Sequence, residues 1–224
     1  ETFEYNKIAN LLFASENVKI IDEINNITIL SETITYLKNQ ETLLIKGNVQ
    51  VIDEDYKINI NANEISYNKF KNIIIAKRNV DIEDRNQNIF LKADEVSVLR
   101  NQEKFIAKRN VKFLNPKKVL KIDSDQIIFF KKNNEIIASG ETNIFLQSKY
   151  NFQSNNIIYL GNQMKLYSNS RSKLFDNNDS FYSFDNFEYD IEKQFLKAQN
   201  INLIENFNSK IEEKNKYNFA NGFF

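Results

Sequence analysis

The sequence predicts an all-β protein built by repetition, with two bent sheets sharing one apolar stripe, and three observations carry that prediction. A first phrase returns every 31 residues, as Asn17-Val18, Asn48-Val49, Asn79-Val80 and Asn110-Val111, with Glu141-Thr142 in the next slot. A second phrase keeps the same step: Ser31-Glu32-Thr33-Ile34-Thr35-Tyr36, Ala62-Asn63-Glu64-Ile65-Ser66-Tyr67, Ala93-Asp94-Glu95-Val96-Ser97-Val98 and Ser124-Asp125-Gln126-Ile127-Ile128-Phe129. Between the phrases apolar residues recur at a step of two, the spacing of a half-buried strand. A fixed period of this length marks stacked units, each too small to bury its own apolar face.

Within one repeat the alternation runs through Val49 and Val51, then Ile58, Ile60 and Ala62, then Ile65 and Tyr67. The interval from Ala62 to Ile65 is odd, so the inward phase flips there, which requires a bulge or a corner. The residue before the flip is small in every copy (Ser31, Ala62, Ala93, Ser124), as crowding at a bend demands. Gly47-Asn48 is the strongest turn signal, with Glu16-Asn17, Arg78-Asn79 and Arg109-Asn110 as variants. Asp22, Asp53 and Asp84 share a phase that Asn115 continues, and Glu54-Asp55, Asn86-Gln87 and Asn115-Pro116 read as loops. Each repeat is therefore expected to give about three strands, and Pro116, the single proline, breaks none of them.

The repeat domain is expected over residues 1–204 and to be irregular from about 160. The second phrase continues as Asn155-Asn156-Ile157-Ile158-Tyr159 and Phe184-Asp185-Asn186-Phe187-Glu188-Tyr189, and the first returns at Ala198-Gln199-Asn200-Ile201. The polar stretch from Ser168 to Ser183 reads as a longer excursion or an irregular turn. Residues 205–224 read as a polar tail or the start of a truncated further segment, with a strand toward Phe223-Phe224.

Composition narrows the chemistry. Thirty basic residues balance thirty acidic ones, so no net field draws in nucleic acid, and no nucleic-acid partner is expected. Neither Cys nor His is present, which removes disulfides, thiol chemistry and the usual general base and zinc ligands. No enzymatic activity and no cofactor are expected. Acidic neighbours such as Glu54-Asp55 and Glu212-Glu213 lie in polar stretches, where adjacent side chains diverge. The Asp22, Asp53 and Asp84 series could bind a cation, but without a Gly-rich calcium repeat it reads as turn capping, and no metal is expected. Arg78 and Arg109, with Lys77 and Lys108, would stack along one edge, either to meet phosphates or as solvated charge that blocks sheet aggregation.

The inward apolar set forms a stripe along the stack: Val49, Val51, Ile60, Ile65, Tyr67, Val80, Ile82, Leu91, Val96, Val98, Val111, Phe113, Ile127, Phe129, Ile157 and Tyr159. Spacing leaves open whether this stripe is closed core or an accessible groove.

The two phrases resemble those of the lipopolysaccharide-transport family, the OstA-like proteins that include LptA, LptC and the N-terminal domain of LptD. The resemblance is carried by Ile45-Lys46-Gly47-Asn48-Val49-Gln50-Val51-Ile52-Asp53 with Ala62-Asn63-Glu64-Ile65-Ser66-Tyr67, and by Ala76-Lys77-Arg78-Asn79-Val80-Asp81-Ile82-Glu83-Asp84 with Ala93-Asp94-Glu95-Val96-Ser97-Val98. Later copies are Ala107-Lys108-Arg109-Asn110-Val111 and Ala138-Ser139-Gly140. It is clear over residues 9–160 and stays in phase to about 204, and the length of the array points most to the LptD N-terminal domain. The resemblance implies a V-shaped β-jellyroll, open along one side, whose inward residues hold the acyl chains of lipopolysaccharide. It further implies end-to-end strand pairing with other Lpt jellyroll proteins, a periplasmic location at the outer membrane, and possible attachment to a C-terminal outer-membrane barrel outside this chain. A structural stalk or filament with a closed core is the alternative. Glu16, Arg78 and Arg109 depart from the family's Gly, and the cysteines of some relatives are missing.

Overall fold

The computed structural model describes residues 2–177, 180–205 and 215–223. The chain forms two compact units, Glu1–Asn115 and Pro116–Phe224. Both are built of antiparallel strands, as the repeats predict.

The first unit is a meander of β1 (Thr2–Asn6), β2 (Leu11–Asp22), β3 (Ile27–Leu37), β4 (Thr42–Asp53), β5 (Ile58–Asn68), β6 (Ile73–Asp84), β7 (Ile89–Leu99) and β8 (Lys104–Asn115). Each strand pairs with the next. One repeat thus makes two strands of 12 and 11 residues, not the three expected. The difference lies at Gly47-Asn48, which bends β4 without ending it. Both residues have positive φ, +80° and +43°. Lys46 pairs with Glu64 and Val49 with Ala62, so two residues of β4 stand opposite one, Asn63. Arg78-Asn79 and Arg109-Asn110 repeat this in β6 and β8. A bulge of this kind bends the strand and shifts the phase of its partner, and β5 accordingly buries Ile58, Ile60 and Ala62 before the bend and Ile65 and Tyr67 after it.

The two phrases meet at this corner. Asn48 Nδ2 donates to Glu32 Oε1 (2.7 Å), Asn79 Nδ2 to Asn63 Oδ1 (3.2 Å), and Asn110 Nδ2 to Asp94 Oδ2 (3.0 Å). The Asn of one phrase is therefore the donor, and the polar residue after the small position of the other is its acceptor. A Cβ at Gly47 would lie 2.7 Å from the Glu32 Cβ, besides being strained at positive φ. Gly47→Ala is expected to cost about 1–2 kcal/mol. Arg109, at φ +62°, already bears that strain, so Arg109→Gly should gain about 1 kcal/mol. Urea unfolding reads both, and shifts of the same sign would contradict the bulge as the strained point.

Turns follow at the strand ends. Asp22, Asp53 and Asp84 close theirs by accepting backbone N–H bonds from Asn25 (3.1 Å), Tyr56 (3.0 Å) and Gln87 (2.9 Å). This is the capping expected of the Asp series. Those turns stack along one rim of the unit, where Glu54 N bonds to Asn26 O and Arg85 N to Lys57 O. The turns after β3, β5 and β7 stack along the opposite rim, through Lys69 N to Glu41 O and Arg100 N to Asn72 O.

The second unit comprises β9 (Leu120–Phe130), β10 (Glu135–Leu146), β11 (Tyr150–Leu160), β12 (Lys165–Ser168), β13 (Ser172–Phe175), β14 (Phe181–Phe184), β15 (Asn186–Asp190), β16 (Phe195–Glu205) and β17 (Asn215–Phe223). Gly140, at φ +82°, marks the bulge of β10. Both β12 and β13 pair with β11, and both β14 and β15 pair with β16. In the stretch from Ser168 to Ser183 the described residues include β13 and β14, so of the two readings the irregular turn, not the longer excursion, fits them. β12 with β13 makes the next bent strand, broken where its neighbour's neighbour β10 is bulged. Side-chain bonds at the break, from Ser170 N to Ser168 Oγ (3.0 Å) and from Ser172 Oγ to Ser170 O (2.6 Å), replace ladder bonds there. β17 runs antiparallel to β16. Of the expected polar tail, residues 206–214 lie outside the described residues.

Candidate functional site

The inward face of the first unit is ordered in rows across the strands. Ile29, Val51, Ile60, Ile82, Leu91 and Phe113 pair in succession. On the far side of the corner, Ile34, Ile45, Ile65, Ala76, Val96 and Ala107 form a second row. Leu43, Tyr67, Ile74, Val98 and Phe105 form a third. Val49 pairs with Ala62 and Val80 with Ala93 beside the corner, and Val111 is buried on β8. Cross-strand pairs of aliphatic and aromatic side chains are the unit of sheet stability, and here each is also a rung of a continuous apolar surface.

In the second unit Phe129, Ile136, Tyr159, Leu166, Tyr189 and Leu196 make one row, and Ile127, Ala138 and Ile157 another. All sixteen residues singled out in the sequence therefore lie on the inward faces, and none is more than 4 % exposed. Outside the sixteen, the rows also hold Ile29, Ile34, Leu43, Ile45, Ile74, Ala76, Phe105 and Ala107 in the first unit and Ile136, Ala138, Leu166, Tyr189 and Leu196 in the second. Leu43, Ile74 and Phe105 stand 31 residues apart, as do Ile45, Ala76 and Ala107. The repeat period was thus a sufficient signal for them.

The two interiors differ in filling. Small Ala76 and Ala107 sit between larger neighbours in the first unit. The second packs rings: Phe152 against Phe187 at 5.1 Å and Tyr189 at 5.2 Å, and Phe184 against Phe187 at 5.3 Å. Burial pushes the hydroxyls of Tyr159 and Tyr189 up to about 12, with Tyr150 adding to the shift at Tyr189. At the N-terminal end of the first unit a cavity of about 250 Å³ is lined by Phe3, Leu12, Ala14, Val18, Ile34 and Leu43, with Lys19 and Lys69 among its walls. Ala14 and Ile34 pair across β2 and β3, so this cavity continues the second row.

Charged side chains bridge the two rims. Lys69 Nζ, from one rim, lies 3.3 Å from Asp22 Oδ2 on the other. One repeat on, Arg100 Nε and Nη2 each lie 3.0 Å from Asp53 Oδ2, with the side chains only 5 % and 4 % exposed. The guanidinium also donates from Nη1 to Asn72 Oδ1 (3.1 Å) and sits 4.8 Å over the Tyr56 ring. In the second unit Lys118 Nζ donates to Gly161 O at 3.2 Å, and burial lowers its pKa. The open side implied by the family resemblance is thus spanned by side chains. At Asp22, burial opposes ionisation, but bonds from Asn25 and the charge of Lys69 outweigh it and hold the carboxyl below its ordinary value. This contribution to stability is present above the unfolded pKa and is lost as pH falls through the folded one.

The Arg78 and Arg109 side chains fold back onto acidic neighbours. Arg78 pairs with Glu64, and Arg109 lies 3.4 Å from Glu95 and 3.9 Å from Asp94. Among the described residues no group of three or more His, Cys, Asp or Glu could hold a metal ion, and no helix is long and apolar enough to cross a membrane.

No protein-family model matches the sequence, and no curated protein matches it. Among solved structures the chain is similar to LptH of Pseudomonas aeruginosa, described as the LptA-homologous periplasmic component of the lipopolysaccharide transport device. Identity is 14 %, the match covers 60 % of this chain and 97 % of that one, and the TM-score is 0.47. A likeness this weak carries neither fold nor function on its own.

Proposed function

We propose that the chain is a periplasmic lipopolysaccharide-binding and transport domain. It shields acyl chains in the apolar interior of its bent sheet and passes lipid toward the outer membrane as part of an Lpt bridge. The observation that carries this reading is the uninterrupted register of apolar rows from β3 to β8, ending in the cavity beside Phe3 and Leu12. An interior of uniform chemistry repeated along a stack suits a cargo that moves, because no one position holds it more strongly than the next. The linked Gly-Asn-Val and Ala-Asp phrases add the family resemblance. Partners of the same jellyroll type would join by strand addition, a mode that suits β2, since β1 reaches only its Leu11–Ser15 segment. Within the family, the length of the array favours the N-terminal domain of LptD, attached to an outer-membrane barrel.

A structural stalk with a closed core is the second reading, and the burial of all sixteen stripe residues favours it. A photoreactive amino acid at Tyr67, Val98 or Phe129 separates the two. Lipopolysaccharide adducts at these inward positions are expected of a lipid track. Their absence, with the protein folded, would leave the stalk.

A further inference from the structure

Two ion pairs of the first unit join one rim to the other. Lys69 and Arg100 come from the turns after β5 and β7, and Asp22 and Asp53 end β2 and β4 on the opposite rim. We propose that these pairs are a latch over the apolar interior, released by an amphiphile that carries a phosphate and resistant to one with a neutral head. The proposal rests on the acyl-chain reading above and adds the class of headgroup that gains entry.

The selectivity follows from what each group loses when the rims part. Asp53 keeps one satisfied oxygen, because Oδ1 accepts the N–H of Tyr56 whether or not Arg100 is present. Arg100 keeps the Asn72 amide, which lies on its own rim, but forfeits the Tyr56 ring and both bonds to Oδ2. A guanidinium held in such a buried place is strongly disfavoured without an anionic partner. A phosphate supplies one, since its oxygens match the guanidinium fork with two parallel bonds. A hydroxyl or ester headgroup has no charge to offer, so its entry leaves the cation stranded. Lys69 repeats the arrangement one repeat earlier. Its side chain is 39 % exposed, and as a point charge it holds its partner less firmly. The latch is therefore tighter at Arg100 than at Lys69.

The test compares a photoreactive monoacylglycerol phosphate with the neutral monoacylglycerol of the same chain, each below its micelle concentration, on the whole protein. Wild type should capture the phosphate probe about tenfold faster than the neutral one, the step that roughly 1.4 kcal/mol of barrier produces. In Asp53→Asn/Arg100→Gln, whose neutral pair can still hydrogen-bond, the neutral probe should speed up and the ratio fall toward one. Asp22→Asn/Lys69→Gln lies at the more exposed pair and should move the ratio in the same direction by less; it decides the matter if the first variant fails to fold. An unchanged ratio in a folded variant overturns the latch and leaves the acyl reading standing. Failure of both probes to label any form overturns the latch and the acyl reading together.

Discussion

Replacing Arg100 with methionine should lower the stability of the first unit by about 3–5 kcal/mol, the cost of leaving one member of a buried ion pair without its partner. The size follows from the surroundings of Asp53. Its side chain is 4 % exposed, so water cannot take over the role of the guanidinium. Methionine keeps much of the volume and the contact with Tyr56, which confines the loss to charge and hydrogen bonds. The pair also ties the turn after β7 to the end of β4, positions 47 residues apart in the chain, so its loss frees two rims at once. Asp53→Asn/Arg100→Met should recover a large part of the deficit by removing the stranded carboxylate. Equilibrium urea unfolding of the single and double variants measures both values. A loss below about 1 kcal/mol in Arg100→Met, the range of an exposed pair, would mean that the clasp is open in solution.

Phe113→Ala should cost about 3–5 kcal/mol, as large-to-small changes of buried aromatics do. Phe113 closes the row that begins at Ile29, is 1 % exposed, and pairs with Leu91 across β7 and β8. The sheet cannot readily collapse to fill the space, because Lys112, Phe113 and Leu114 are held by the ladder to Lys92, Leu91 and Phe90 of β7. Phe70 supplies the control. It stands in the turn after β5, 88 % exposed, and Phe70→Ala should change stability by no more than about 0.5 kcal/mol. The contrast between two phenylalanines of one unit tests whether the rows, rather than apolar content in general, hold it together. Similar thermal midpoints for the two variants would refute that.

The sequence carried the inward residues of the strands almost completely, because a period of two within a period of 31 leaves little freedom about which side chains share a face. Val51, Ile60, Ile82 and Leu91 could be placed in one stripe before any register was known. The count of strands was not legible. Gly47-Asn48 has the composition of a hairpin turn, and only the pairing of Lys46 with Glu64 and Val49 with Ala62 shows that the strand continues, bent, through a bulge. From Ser168 to Ser183 composition left an excursion and an irregular turn both open, and there polar residues break the bend of a strand and yet leave both arms paired to β11 or β16. The rim clasps were hidden for another reason. Lys69 and Arg100 keep the 31-residue step, as Asp22 and Asp53 do, but their partnership joins one series to another at an offset that depends on how far the sheet curls. Local patterning is blind to that curl.

The central claim is that acyl chains occupy the inward rows, and contact quenching tests it most directly. The chain has no Trp, so Tyr67→Trp places a single indole in the third row, and Phe70→Trp places one on the outer surface only a turn away. On addition of lipopolysaccharide with brominated acyl chains, the indole at position 67 should be quenched while that at position 70 keeps its emission. An unquenched indole at position 67, or equal quenching at both, would contradict the account.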